Sequence, residues 1–170
     1  MKETLEIINR MQADGVIGKY AIGGAVGATF YLEPAATLDV DIFVMLPDVS
    51  GSSLVSRSPI YEFLASHGYK PEGEHVIIGT WPVQFLMPGN ALEREALLEA
   101  VQIDAGRVPT WIMTAEHLVA IALQTGRSKD YARIINFLEH QAVNQNRLDS
   151  LLARHGLTTQ WEKFRKRYLE

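Results

Sequence analysis

Hydrophobic positions change their spacing along the chain. Over residues 2–14, apolar side chains recur three or four residues apart, which predicts an amphipathic helix. Short apolar runs bounded by glycine and polar residues follow, and they predict strands, the first two at Tyr20–Ile22 and at residues 40–46. The last third of the chain returns to helical spacing. The pattern predicts an α/β core over residues 1–113 and a packed helical region over residues 114–170.

The other predicted elements rest on the same two periodicities and on end signals such as Pro59, Gly73, Gly79, Asn90 and Gly126. Predicted helices cover residues 59–67, 91–100, 115–124, 128–141, 144–155 and 159–168, and predicted strands cover residues 69–72, 75–78, 80–87, 101–103 and 108–113.

Composition limits the classes of protein that fit. The chain has 170 residues, 47% of them hydrophobic and 21% charged, which suits one globular unit with a real core. The absence of cysteine excludes disulfides, thiolate catalysis and cysteine metal sites. Without a signal peptide or a long apolar run, a cytoplasmic protein with no membrane partner is expected. Because the net charge is −4, any RNA contact needs a local basic patch, for which residues 163–167 are a candidate.

The segment from residue 20 to residue 46 carries the strongest chemical signal. Gly23 and Gly24 follow a short apolar run and precede a predicted helix over residues 25–32, an arrangement that can present backbone N–H groups to a phosphate. Asp39 and Asp41 flank the first residue of the next strand, so their side chains project from the same face. Two adjacent carboxylates favour a cation between them, and Mg²⁺ or Mn²⁺ suits oxygen ligands. A tight glycine turn and a solvated strand end are the purely structural alternatives.

This order of a glycine pair, a helix and an Asp-x-Asp strand resembles the nucleotidyltransferase superfamily. The likeness is to small bacterial members, which include AbiEii-type abortive-infection toxins and the minimal nucleotidyltransferases of toxin–antitoxin pairs. The resemblance implies a mixed sheet flanked by helices and metal-dependent transfer of an NMP from an NTP to a hydroxyl acceptor. It also implies that Asp39 and Asp41 bind the metal and act in catalysis, while Gly23, Gly24 and Thr37 bind the nucleotide.

A second segment, residues 116–134, also resembles the family. There, an apolar helix ends in a charged group that reads Arg127, Ser128, Lys129 and Asp130. Arg127 and Lys129 supply donors suited to a triphosphate, and Asp130 can orient one of them or cap the next helix. The structural alternative is an ordinary helix start with Ser128 as the N-cap.

Three positions depart from the family pattern. The third catalytic carboxylate of active members corresponds to Gln84, which carries no charge and cannot act as a base. Basic residues of many relatives correspond to Ala35 and Ala122. Glu74 or His75, on a nearby predicted strand, could supply a base instead.

Three functions therefore stay open. The first is an active nucleotidyltransferase whose acceptor is an RNA end, such as that of tRNA, or a protein hydroxyl. The second is a nucleotide-binding protein without turnover. The third is an interaction module that uses the aromatic stripe of Trp161, Phe164 and Tyr168, although such a stripe is more often core packing. The sequence specifies neither the nucleotide nor the oligomeric state, and it contains no P-loop and no histidine pair with metal-ligand spacing.

Overall fold

The computed structural model describes residues 1–33, 39–47 and 56–170, and these residues contain a mixed sheet with helices on both faces. The helices are α1 (Lys2–Ala13), α2 (Gly24–Ala28), α3 (Ser58–Ser66), α4 (Ala91–Leu98), α5 (Ala115–Thr125), α6 (Ser128–Glu139), α7 (Gln145–Arg154) and α8 (Thr158–Tyr168). The strands are β1 (Tyr20–Ile22), β2 (Val40–Val44), β3 (Pro71–Glu72), β4 (His75–Ile78), β5 (Trp81–Leu86), β6 (Val101–Ala105) and β7 (Val108–Ile112).

The strands lie in the order β3-β4-β5-β2-β1-β7-β6. Strand β2 is central: it is antiparallel to β1 and parallel to β5. Strand β1 is also parallel to β7, and the other neighbouring pairs, β3–β4, β4–β5 and β6–β7, are antiparallel. The predicted fold class, a mixed sheet flanked by helices, is confirmed.

Side chains alternate between two apolar clusters on the two faces of the sheet. On one face, Tyr20 and Ile22 of β1 pack with the buried side of α1. On the other face, Ala21 and Phe43 pack against α4, α5 and the helices that follow. Because Asp41 is two residues before Phe43 in the same strand, its side chain projects towards the face that α5 covers.

Several predicted elements differ in their bounds from the observed ones, and two of these differences have a clear local cause. The helix expected over residues 25–32 ends at Ala28, where the Thr29 hydroxyl donates to the Val26 carbonyl at 2.7 Å and competes with helical bonding. The hairpin turn lies at Gly106 and Arg107, both with positive φ, so β6 continues through Ala105 instead of ending before Asp104.

Some predictions fall on residues 34–38 and 48–55, which lie outside the described residues. They include the nucleotide-binding role of Thr37, the departure at Ala35 and most of the loop predicted after β2. In the part of the chain that the structure describes, no helix combines the length and the apolar character that a membrane crossing needs.

Candidate functional site

The two aspartates lie together at the start of β2. Burial raises the pKa of Asp41, and the neighbouring charge of Asp39 raises it further. Arg133, Arg127 and Lys129 oppose that shift, so cations face the same carboxylate. The arrangement concentrates negative charge at the end of one strand and positive charge on the helix opposite.

The glycine pair forms the turn beside Asp41. The Gly23 N–H donates to the Asp41 carbonyl at 3.0 Å, so this donor continues the sheet and does not point outward. Gly24 has φ +58°, and a Cβ on it would come within 2.0 Å of Asp41 Oδ2. The absence of a side chain at Gly24 therefore lets the carboxylate approach the backbone. With five residues, α2 is also shorter than the helix expected to hold a phosphate at its N-terminus.

The basic side of the site begins at the turn between α5 and α6. Gly126 ends α5 in the left-handed conformation, and the chain turns into α6 at Arg127. Arg127 Nε donates to Asp130 Oδ2 at 2.6 Å, and Arg127 Nη2 donates to Oδ1 at 3.2 Å. Asp130 is only 1% exposed, and Arg133 Nη1 lies 3.5 Å from its Oδ1. One buried carboxylate thus orients two guanidinium groups.

Helix α6 begins at Ser128 as predicted, but the alternative role of Ser128 as the N-cap residue is wrong. The N-cap residue of α6 is Arg127, and the Asp130 carboxylate accepts from the Arg127 backbone N–H at 3.3 Å. Asp130 therefore both orients a cation and caps the helix, whereas Lys129 and Ser128 are exposed beside it.

The register of the sheet brings Gln84 and His75 next to the aspartates. Gln84 pairs with Asp41 across β2 and β5. Strand β4 lies on the side of β5 away from β2. Its pairing of Val76 with Val83 places His75 opposite Gln84. His75 Nε2 lies 3.5 Å from Asp39 Oδ2, is buried and makes no hydrogen bond among the described residues. Glu74, by contrast, is exposed in a turn.

A cleft of about 210 Å³ lies beside Asp41. Asp41, Gln84 and Gly24 line one wall, and Arg127 and Arg133 line the opposite wall. The remaining lining is mostly apolar and comes mainly from β2, β5 and α5, including Ala122. The cleft can hold a group that is anionic at one end and partly apolar.

Comparisons with known proteins identify the fold. No protein-family model matches the sequence, and no curated protein matches it. Among solved structures, an antigenic nucleotidyltransferase-like protein from Paracoccidioides brasiliensis aligns over 96% of this chain and 90% of its own, with TM-score 0.54 and 14% identity. The chain has the nucleotidyltransferase fold.

Two structures of ANT(2'')-Ia share this nucleotidyltransferase fold. A crystal structure of that protein in complex with adenylyl-2''-tobramycin aligns over 97% of this chain and 98% of its own, with TM-score 0.51 and 14% identity. A solution structure of the same antibiotic-resistance factor covers 99% of this chain and 93% of its own, with TM-score 0.50 and 15% identity. These likenesses establish the fold.

The two aspartates at the start of β2 fit a divalent metal ion. Two carboxylates on one face of a strand supply the oxygen donors that Mg²⁺ and Mn²⁺ prefer. Burial, and then the charge of Asp39, raise the pKa of Asp41, so a cation beside this carboxylate would stabilise its charged form. Asp39 and Asp41 would hold such an ion, and the cations on α6 would face the phosphates that it accompanies.

Sequence reasoning did not select Arg133, although it lies on the same face of α6 as Asp130. Its spacing of three residues from Asp130 is a signal that could have found it. The position of His75 has a weaker signal, because it depends on how β4 is registered against β5, which no local pattern specifies.

Proposed function

We propose that the chain is a metal-dependent nucleotidyltransferase that moves an NMP from an NTP to a hydroxyl acceptor. One observation carries the proposal: Asp41 lines a cleft in a nucleotidyltransferase fold together with Arg127 and Arg133, and the charge of Asp39 acts on the same carboxylate. Paired carboxylates beside oriented guanidinium groups suit a metal-bound triphosphate better than an uncharged ligand.

Each group has a proposed role. Asp39 and Asp41 hold Mg²⁺ or Mn²⁺, which when bound neutralises charge on the triphosphate and on the leaving pyrophosphate. Arg127 directs the guanidinium N–H groups that do not bond to Asp130 towards the phosphates, and Arg133 and exposed Lys129 contribute positive charge. Asp130 keeps Arg127 in place. The turn at Gly23–Gly24 lets the triphosphate approach the backbone beside Asp41.

The reaction forms one bond and breaks one. The acceptor oxygen bonds to the α-phosphorus, the bond from that phosphorus to the α,β-bridging oxygen breaks, and pyrophosphate leaves with the electron pair. The proton of the acceptor hydroxyl goes to a base. We assign that base as His75 Nε2, because this atom is buried, makes no hydrogen bond to any residue that the structure describes and lies 3.5 Å from Asp39 Oδ2.

The finer assignments follow the resemblance at residues 20–46. We propose a relationship to the AbiEii-type and minimal nucleotidyltransferases of toxin–antitoxin pairs, with an RNA end or a protein hydroxyl as the acceptor and the cytoplasm as the location. The division into a core over residues 1–113 and a helical region over residues 114–170 belongs to the same proposal.

A nucleotide-binding protein without turnover is the second candidate, and Gln84 favours it. Gln84 pairs with Asp41 at the position where a third carboxylate would complete the site. An amide there leaves two metal ligands and removes a base, which permits binding and slows transfer.

The first experiment is calorimetric titration of the protein with each NTP, with and without Mg²⁺ or Mn²⁺. Metal-dependent binding should be lost in the Asp39→Ala, Asp41→Ala variant and retained in an Asp104→Ala control, whose carboxylate is exposed on β6. Failure of every NTP to bind would contradict both candidates and leave the interaction module.

Turnover separates the two candidates. Release of pyrophosphate with labelled NTP and bulk RNA or protein as acceptor should depend on metal, and His75→Gln should reduce its rate by about 10²-fold or more if His75 is the base. Tight NTP binding without pyrophosphate release, with release gained in Gln84→Asp, would favour the protein without turnover.

A further inference from the structure

A second group of metal-binding side chains lies between α4 and α5. Glu95 and Glu99 are one helical turn apart near the end of α4, and His117 is in the first turn of α5. One ligand atom from each residue lies within 4.8 Å of the other two. His117 Nε2 is 3.4 Å from Glu95 Oε1 and 4.0 Å from Glu99 Oε2.

The imidazole of His117 is buried and held in one orientation. Its side chain is 4% exposed, and its Nδ1 lies 2.7 Å from the hydroxyl of Thr114, the N-cap residue of α5. That contact aims Nε2 at the two carboxylates, yet Nε2 makes no hydrogen bond among the described residues. A buried polar atom without a partner is unfavourable, and a cation between it and the carboxylates would satisfy it.

The two distances from His117 Nε2 suit a small tetrahedral ion. Ligand atoms about 2.1 Å from Zn²⁺ lie about 3.4 Å from one another. The two observed distances from His117 Nε2 are at or slightly above that value. One nitrogen and two oxygen donors favour Zn²⁺ over Mg²⁺ and Ca²⁺, which prefer sets of oxygen ligands.

Two neighbouring side chains hold the Glu95 carboxylate in place. His155 Nε2 lies 2.7 Å from Glu95 Oε2, and Arg154 Nη2 donates to Glu95 Oε1. Carboxylates that ligate metals are commonly fixed by such neighbours. The Glu99 side chain is 56% exposed. It lines a cleft of about 260 Å³ together with Thr114, Arg147 and Ser150.

We propose that Glu95, Glu99 and His117 form a Zn²⁺ site with an open coordination position towards this cleft. The site shares no ligand with Asp39 and Asp41 and does not depend on the function proposed for them. Three protein ligands and one open position would join α4 to the helical region and present a Lewis acid to the cleft.

The test is calorimetric titration of Zn²⁺ into chelator-treated protein that carries Asp39→Ala and Asp41→Ala, so that the other carboxylates cannot contribute. One Zn²⁺ should bind per chain. Co²⁺ in place of Zn²⁺ should give the intense visible absorption of a four-coordinate ion.

Variants locate the ligands. Glu99→Gln, at an exposed position, should weaken Zn²⁺ binding about tenfold or more, and His117→Gln should abolish it. Thr114→Val should weaken it by about 10–100-fold, whereas Thr114→Ser, which keeps the hydroxyl, should restore it. Glu162→Gln, an exposed change on α8, is the matched control and should leave affinity unchanged.

Absence of Zn²⁺ binding in folded protein, or equal affinity in Glu99→Gln and Glu162→Gln, would overturn the proposal. NTP binding by the protein with Asp39 and Asp41 intact should not change with Glu99→Gln, so failure of this site and failure of the proposed nucleotide site give different results.

Discussion

At the scale of single residues, Gly24 is the position at which the backbone approaches the Asp41 carboxylate most closely. In Gly24→Ala, the new methyl group would come within 2.0 Å of Asp41 Oδ2 at a φ of +58°. Either the carboxylate or the turn must shift. We expect a loss of about 1–3 kcal/mol in the free energy of unfolding and loss of metal-dependent NTP binding, measured by urea unfolding and by calorimetry.

Gly15→Ala is the matched control for the backbone conformation. Gly15 has φ +73°, and nothing lies within 4 Å of the Cβ that would be added. Gly15→Ala should lower the free energy of unfolding by only about 1 kcal/mol, the cost of alanine at positive φ, and should leave NTP binding unchanged. Equal losses of binding in both variants would show that the contact with Asp41 does not matter.

The raised pKa of Asp41 predicts a dependence of stability on pH. Burial, and then the charge of Asp39, raise this pKa above its ordinary value of 3.8, so the folded protein holds the proton more tightly than the unfolded chain. The corresponding stabilisation is complete below the unfolded value and disappears as pH rises through the folded value. Without metal, Asp41→Asn should therefore gain stability relative to the unmodified protein between pH 4 and pH 7.5.

Urea unfolding of both proteins at the two pH values, with and without Mg²⁺, measures this effect. Mg²⁺ should stabilise the unmodified protein and leave the stability of Asp41→Asn unchanged. The difference in stability between the two proteins at pH 7.5 should therefore become smaller or change sign. A gap between the two proteins that stays constant with pH would show that Asp41 titrates normally.

At the scale of elements, the start of α6 depends on one buried carboxylate. Asp130 accepts hydrogen bonds from Arg127 and contacts Arg133, and it also caps the helix. Asp130→Asn should lower the free energy of unfolding by about 2 kcal/mol. Breaking a fully buried ion pair costs roughly 3–5 kcal/mol, and the expected loss is smaller here because the Arg127 side chain is 58% exposed. NTP affinity should fall as well, since neither guanidinium would be held in the cleft.

Asp149→Asn, an exposed change on α7, is the control and should stay within about 0.5 kcal/mol of the unmodified protein. The two measurements are thermal unfolding and NTP titration. Unchanged NTP affinity in Asp130→Asn would remove Arg127 from the proposed nucleotide site.

A helix or strand can be predicted well when the residues that signal it are close together in the sequence. Strand β1 has its predicted bounds, because three apolar residues precede the glycine pair, and the capping role of Asn90 appears as its acceptance of the Glu93 N–H at 2.9 Å. The helix after Gly24 is shorter than predicted, because the Thr29 hydroxyl donates to the Val26 carbonyl and competes with helical bonding. Local signals of this kind do not report pairing between strands.

The candidate sites also contain some features that local sequence signals predict and others that they do not. The adjacency of Asp39 and Asp41 follows from strand alternation alone, which the sequence contains. The approach of His75 to Asp39 and of His117 to Glu95 depends on contacts between distant segments, and no periodicity encodes those. The roles of Asp39, Asp41, Gln84, Lys129 and the other nucleotide-site residues stay predictions.

At the scale of the whole molecule, the apolar cluster on one face of the sheet contains residues from both predicted regions. Ala21 and Phe43 of the sheet belong to the same buried cluster as Leu152, Trp161 and Phe164 of the last two helices. Trp161 and Phe164 are therefore core residues, whereas Tyr168, the third member of the aromatic stripe, is exposed. Shared burial of this kind makes separate unfolding of the helical region unfavourable.

The three tryptophans offer probes of that coupling, since Trp81 is in β5, Trp111 in β7 and Trp161 in α8. In variants that retain only Trp81 or only Trp161, the others being replaced by Phe, fluorescence should report one coincident urea transition. Phe164→Ala should lower both midpoints equally, with a cost of about 3–5 kcal/mol, because it leaves a cavity in the shared cluster. An earlier transition at Trp161 alone would instead make residues 114–170 an independently unfolding unit and residue 113 a true domain boundary.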